Sequence, residues 1–137
     1  MKFVNRQFGE FEFDESHVLE FPEGIIGFGE YRRFLIVDDV DTQPFRWLVS
    51  LEDSDLSFAM IAPEVVVSGY EGTYFKGENV TVFLFVALKE PVDGSTMNLR
   101  SPLVIDNARR IGRQVILDDE TLTMQFPLFT RSAELVE

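Results

Sequence analysis

The chain has 137 residues, no cysteine, and 24 acidic against 12 basic side chains, for a net charge of −12. That length fits one domain whose core is large enough to stand without disulfides, and the lack of cysteine excludes disulfides, thiolate metal ligands and a cysteine nucleophile together. The negative field repels phosphate backbones, which argues against bulk nucleic-acid binding, and it attracts basic partners.

Apolar and polar residues alternate in short runs bounded by Gly, Pro, Asp or Ser, a pattern that predicts strands almost throughout. Phe3 to Gln7 and Glu10 to Phe13 read as a hairpin turning near Phe8-Gly9, with Phe11 and Phe13 on one face and Glu10 and Glu12 on the other. His17 to Phe21 follows as a short strand. Pro22 to Gly29 is a loop with three glycines, whose Ile25 and Ile26 are either tucked beneath it or presented to a partner. Glu30 to Arg33 reads as a single helical turn.

Phe34 to Val37 is a buried strand closed by the acidic run Asp38 to Asp41. Arg46 to Leu51 and Ser57 to Ala62 form an antiparallel pair across the turn Glu52-Asp53-Ser54-Asp55, where Asp and Ser cap their own backbone. Pro63 breaks the ladder, and Val65 to Val67 is a short edge that leaves room for strand-paired dimers, although a monomer is favoured. Glu71 to Asn79 is a polar connection. The strongest strand is Val80 to Lys89, apolar on both faces over Val82 to Leu88 and so expected to be covered on both. Met97 to Arg100, Leu103 to Asp106, Arg113 to Leu117 and Leu122 to Leu128 complete the set, and residues 130–137 are expected to form a loose tail. Some ten short strands with at most one or two helical turns predict an all-β, single-domain, antiparallel barrel-like fold over residues 1–137.

The N-terminus carries no apolar stretch suited to a signal peptide, and Val82 to Leu88 is too short to cross a bilayer. A cytoplasmic protein is expected, with neither membrane nor nucleic acid as a direct partner.

The residue chemistry argues against an enzyme. His17 is the single histidine and has no nucleophile elbow near it, so it reads as an ordinary strand residue. Zinc would need three or four ligands. The clusters Asp38, Asp39, Asp41 and Glu52, Asp53, Asp55 lack the offsets of a calcium loop and read as solvated turns. No catalytic residue, metal or cofactor is therefore assigned. Two features remain as partner-binding candidates. One is the glycine loop, with Pro22, Gly24, Ile25, Gly27 and Phe28. The other is a basic stretch, Arg100, Arg109, Arg110 and Arg113, that either grips an acidic partner or pairs internally.

Several ordered blocks carry a resemblance. Phe21-Pro22-Glu23-Gly24-Ile25-Ile26-Gly27-Phe28, the strand–turn–strand from Phe45 to Phe58, Tyr70, Met97 to Asn107, Arg109 to Leu117 and Pro127-Leu128 together resemble the FliW family of flagellar assembly factors. The resemblance covers about Phe3 to Leu128. It departs from the family pattern at Glu71 to Asn79, where an acidic helical insert is usual, at Val67-Ser68-Gly69-Tyr70, and at Gln125-Phe126-Pro127-Leu128. It implies a pseudo-barrel and a regulator that binds flagellin and sequesters CsrA, the translational repressor of flagellin. It also adds Asn98 and Leu99 to the candidate contacts. Two readings stand beside it: a small barrel holding a hydrophobic or sugar ligand among its 14 phenylalanines, and an acid–base hydrolase with two converging carboxylates.

Overall fold

The computed structural model describes residues 1–129; the tail expected at 130–137 lies outside the described residues. Seven strands close into a ring. β1 (Lys2–Asn5) and β2 (Gly9–Glu12) form a separate antiparallel hairpin with Phe3 opposite Phe11. The ring then runs through β3 (Leu19–Glu20), β4 (Arg33–Asp38), β5 (Arg46–Ser50), β6 (Ser57–Ile61) and β7 (Thr81–Ala87). β8 (Thr96–Met97) lies outside it, whereas β9 (Leu103–Asp106) and β10 (Ile111–Gln114) return the chain to β3. β11 (Phe126–Pro127) pairs with β8.

β7 makes the closure possible by sharing one edge between two neighbours. Its first half pairs with β9, Val82 opposite Val104, and its second half with β8, Val86 opposite Met97. Its other edge takes β6. The ring is antiparallel except where β10 meets β3 in parallel, Ile111 opposite Glu20.

Strand alternation sends one side chain in two to the interior. Leu19, Phe34, Leu48, Met60, Phe83, Leu103 and Ile105 meet there, each buried. On the outside, Phe3, Phe8 and Phe11 of the hairpin cover Trp47, Val49 and Ala59. A second outer layer, with Tyr70, Phe75, Met97 and Leu99, covers Val82, Leu84 and Val104. Phe83 thus faces the interior and its neighbours Val82 and Leu84 the outer layer, which is why β7 is apolar on both faces.

Several expected elements differ. Val65 to Val67 is no edge strand: Pro63–Val65 is a 3-10 turn with proline in its first turn, where a missing N–H costs nothing. The polar connection contains a helix, α1 (Tyr70–Tyr74), entered through Gly69 at φ 79. Tyr70 sits beneath it with its hydroxyl donating to Leu99 O, so burial of one tyrosine stabilises a helix too short to persist alone. Glu30 to Arg33 is not helical either. The Glu52 carboxylate accepts from Arg32 N and Arg33 N, at 2.5 and 2.9 Å, and draws the chain into β4. His17 lies exposed in the 3-10 turn Glu15–His17, ahead of a strand only two residues long. The strand expected at Arg113 to Leu117 is β10, which starts two residues earlier and ends three earlier, because the β9–β10 turn is tight.

Gly112 faces the interior opposite Ile105, and the Phe21 ring occupies the space where its side chain would stand. Gly112→Ala should therefore destabilise the protein by about 1–3 kcal/mol, the usual cost of overpacking a core. Gly94→Ala, whose new methyl meets only Lys89 Cβ at 3.8 Å, should stay within about 0.5 kcal/mol of the parent. Urea unfolding of the two variants measures the difference.

Candidate partner-binding surfaces

The glycine loop is built from turns. Phe21 N donates to Arg32 O and Gly24 N to Phe21 O, so the loop leaves the ring through the buried Phe21 and turns at once. Gly24 has φ +69, and a Cβ there would come within 2.5 Å of Gly29 Cα; only glycine lets the two arms of the loop pass so closely. Ile25 and Phe28 then pair as an isolated bridge, with Phe28 N donating to Ile25 O at 2.7 Å. Gly27, at φ +88, sits third in that four-residue turn.

The two isoleucines part company. Ile25 is buried in the interior cluster, whereas Ile26 is 57% exposed. Phe28 is half-buried, its ring edge-on to Phe58 with centroids 5.2 Å apart. Of the five loop candidates, Gly24, Ile25 and Phe28 thus hold the loop, and Pro22 and Gly27 face solvent. Sequence reasoning did not single out Ile26 as the outward isoleucine, because side-chain direction in a turn depends on backbone angles that no periodicity encodes.

The arginines flank the β9–β10 turn. The Asp106 carboxylate accepts from Ala108 N and Arg109 N, and Arg110 closes the turn at φ 56. That left-handed geometry favours glycine or asparagine. Arg110 Nη2 donates to His17 O at 2.8 Å, which ties the turn to the chain ahead of β3. Arg109 approaches Asp106 at 3.8 Å and Arg113 approaches Glu78 at 3.6 Å, both pairs largely solvated. Such pairs are worth little, so both guanidinium groups remain available to a carboxylate outside the chain. Arg100 is set apart, half-buried with Nε donating to Leu117 O.

Asn98 and Leu99 shape backbone. Asn98 Oδ1 accepts from Arg100 N and Ser101 N, both at 3.0 Å, in a side-chain-capped turn. Leu99 is buried, its carbonyl accepting from Tyr70.

One residue joins these pieces. Gln114, at the end of β10, accepts from Ile26 N through Oε1 at 2.9 Å and donates from Nε2 to Ser101 O at 3.2 Å. The glycine loop, the turn after Asn98 and the arginine-bearing strand therefore form one continuous surface. Gln114 carries no charge or nucleophile and gave no chemical signal in the sequence. Nearby, the Asp119 carboxyl is held below its usual range, first by the Thr121 hydroxyl and then by the Tyr74 phenol and the Thr121 N–H.

This architecture and surface can be set beside known proteins. The family model described as FliW protein matches residues 2–128. The chain belongs to the FliW family. The flagellar assembly factor FliW of Caldicellulosiruptor saccharolyticus is 36% identical over 135 residues, covering 91% of this chain and 88% of that protein. The flagellar assembly factor FliW of Bdellovibrio bacteriovorus is 31% identical over 140 residues, covering 95% and 80%. A crystal structure of the flagellar assembly factor FliW matches with a TM-score of 0.84 at 26% identity, covering 96% of this chain and 99% of that one. The all-β barrel-like fold expected from the strand pattern is thus the FliW fold. FliW proteins are flagellar assembly factors. No helix among the described residues is long and apolar enough to cross a membrane.

Gln114→Ala should speed amide exchange at Ile26 and cost about 1 kcal/mol of stability, the scale of one or two ordinary hydrogen bonds. Gln114→Glu keeps an acceptor for Ile26 N but no donor for Ser101 O, and should restore protection at Ile26. Hydrogen exchange followed by NMR separates the two.

Proposed function

We propose that this protein binds flagellin in the cytoplasm and, when free of it, sequesters the translational repressor CsrA. Membership of the FliW family carries the proposal. Charge supports it: a surface of net charge −12 steers the encounter with a basic RNA-binding protein without itself holding RNA. Partners that exclude one another would then switch by mass action, each bound partner lowering the free pool available to the other.

In this reading Pro22, Gly27, Arg109, Arg110 and Arg113 touch a partner, and Gly24, Ile25, Phe28, Asn98 and Leu99 set the backbone that presents them. The arginine forks would meet carboxylates and the exposed turn an apolar patch. The interior is filled by large side chains, Phe21, Phe34 and Phe83 among them, which counts against a ligand held inside the barrel.

Calorimetric titration against CsrA and monomeric flagellin of the same organism, at two salt concentrations, tests the reading. Both should bind, and CsrA affinity should fall as salt rises. Binding to neither would overturn it. Arg109→Glu together with Arg113→Glu should weaken an acidic contact by roughly tenfold or more, the scale of opposed charges at an interface, while leaving the unfolding midpoint nearly unchanged.

A further inference from the structure

The ring leaves part of one strand without a neighbour. Phe21 N donates to Arg32 O on one side of the chain entering β4, and Leu51 N to Arg33 O on the other. In antiparallel sheets these directions alternate residue by residue. Even-numbered residues of β4 therefore aim N–H and C=O towards β3, and odd-numbered residues towards β5. β3 supplies partners only as far as Phe34, opposite Leu19, because the chain before it coils into the turn Glu15–His17. β5 continues until Asp38 lies opposite Arg46. The backbone groups of Ile36 and Asp38 thus face away from β5 with no strand beside them among the described residues.

A hollow of about 780 Å³ lies there. Ile36 to Val40 line one wall and Gln7, Phe8 and Phe11 of the hairpin the other. It touches consecutive residues of β4 and none of β5, which places it along the open edge. Phe8, Phe11 and Val37 give it an apolar wall. Asp39 gives it an acidic rim and exposed Asp41 follows, while the Asp38 carboxylate beside them accepts from Arg46 Nε and Nη2.

We propose that this edge accepts an extended segment of another protein as an added strand, one in which apolar residues alternate with lysine or arginine. This goes beyond the FliW reading, since it uses none of the residues assigned to flagellin or CsrA. Added strands gain affinity from backbone hydrogen bonds and specificity from alternate side chains. Ile36 and Asp38 supply the backbone groups. The side chain opposite Val37 packs on Phe8 and Phe11, and its flanking basic residues meet the aspartates. A second copy of this chain is a poor occupant, because pairing the edges would bring two acidic rims together on molecules of charge −12.

The test is NMR-detected amide exchange with a capped heptapeptide, Lys-Val-Lys-Val-Lys-Val-Lys. The Ile36 and Asp38 amides should exchange freely in the protein alone and slow by about tenfold or more with peptide. Shift changes should centre on Val37, Phe8 and Phe11. The same peptide with glutamate in place of lysine should leave them unaltered. Asp41→Lys, which changes a carboxylate bonded to nothing among the described residues, should weaken the basic peptide about threefold. The proposal falls if the basic peptide produces no shifts at millimolar concentration, if its shifts lie elsewhere, or if the acidic peptide protects equally. It also falls if the two amides are already slow in the protein alone; slowing that grows with protein concentration would assign the edge to a second copy.

Discussion

The Phe21 ring seated on Gly112 is the contact on which the rest of the architecture depends. It lies where β10 runs alongside β3, the one parallel join in the ring. A side chain at position 112 would push the ring out of the barrel, and Phe21 is also the residue from which the glycine loop departs. The same packing therefore closes the barrel and sets the root of its most exposed turn. The loop leaves a rigid base, and its own glycines then decide where Ile26 points.

Around that closure the protein is layered unevenly. The hairpin of β1 and β2 covers one outer flank through Phe3, Phe8 and Phe11, and α1 with the segment after β10 covers another. The glycine loop, the arginine turn and the free edge of β4 remain outside these covers. The arginine turn keeps its shape at some cost. Arg110 adopts a left-handed conformation where glycine would be easier, and its guanidinium spans to His17 O while Nε stays buried without a partner among the described residues.

Much of the fold was legible in the sequence. Short runs bounded by turn residues located β4, β5 and β6 to within a residue or two, and the run Val82 to Leu88, apolar on both faces, announced a strand covered on both, which holds for Val82 to Leu84 while Leu88 is exposed. What misled was local chemistry overruled by distant contacts. Glu52 straightened residues 30–33 from twenty residues away, and Tyr70 drew a polar connection into a helix by reaching Leu99. The candidate surface was half legible. Glycines and arginines stand out in a string of letters, but Gln114, which joins them, is visible only once three separated segments lie side by side.

The ring also has a history in time. Its last join sets Glu20 beside Ile111, residues separated by most of the chain, and the strands between them are laid down in order as synthesis proceeds. Until β9 and β10 have left the ribosome, β3 to β7 can form only an unclosed sheet with Phe34, Leu48, Met60 and Phe83 facing water. Long-range closure of this kind is slow compared with local pairing. Burial of those side chains therefore waits on the last two strands of the ring rather than on its first hairpins.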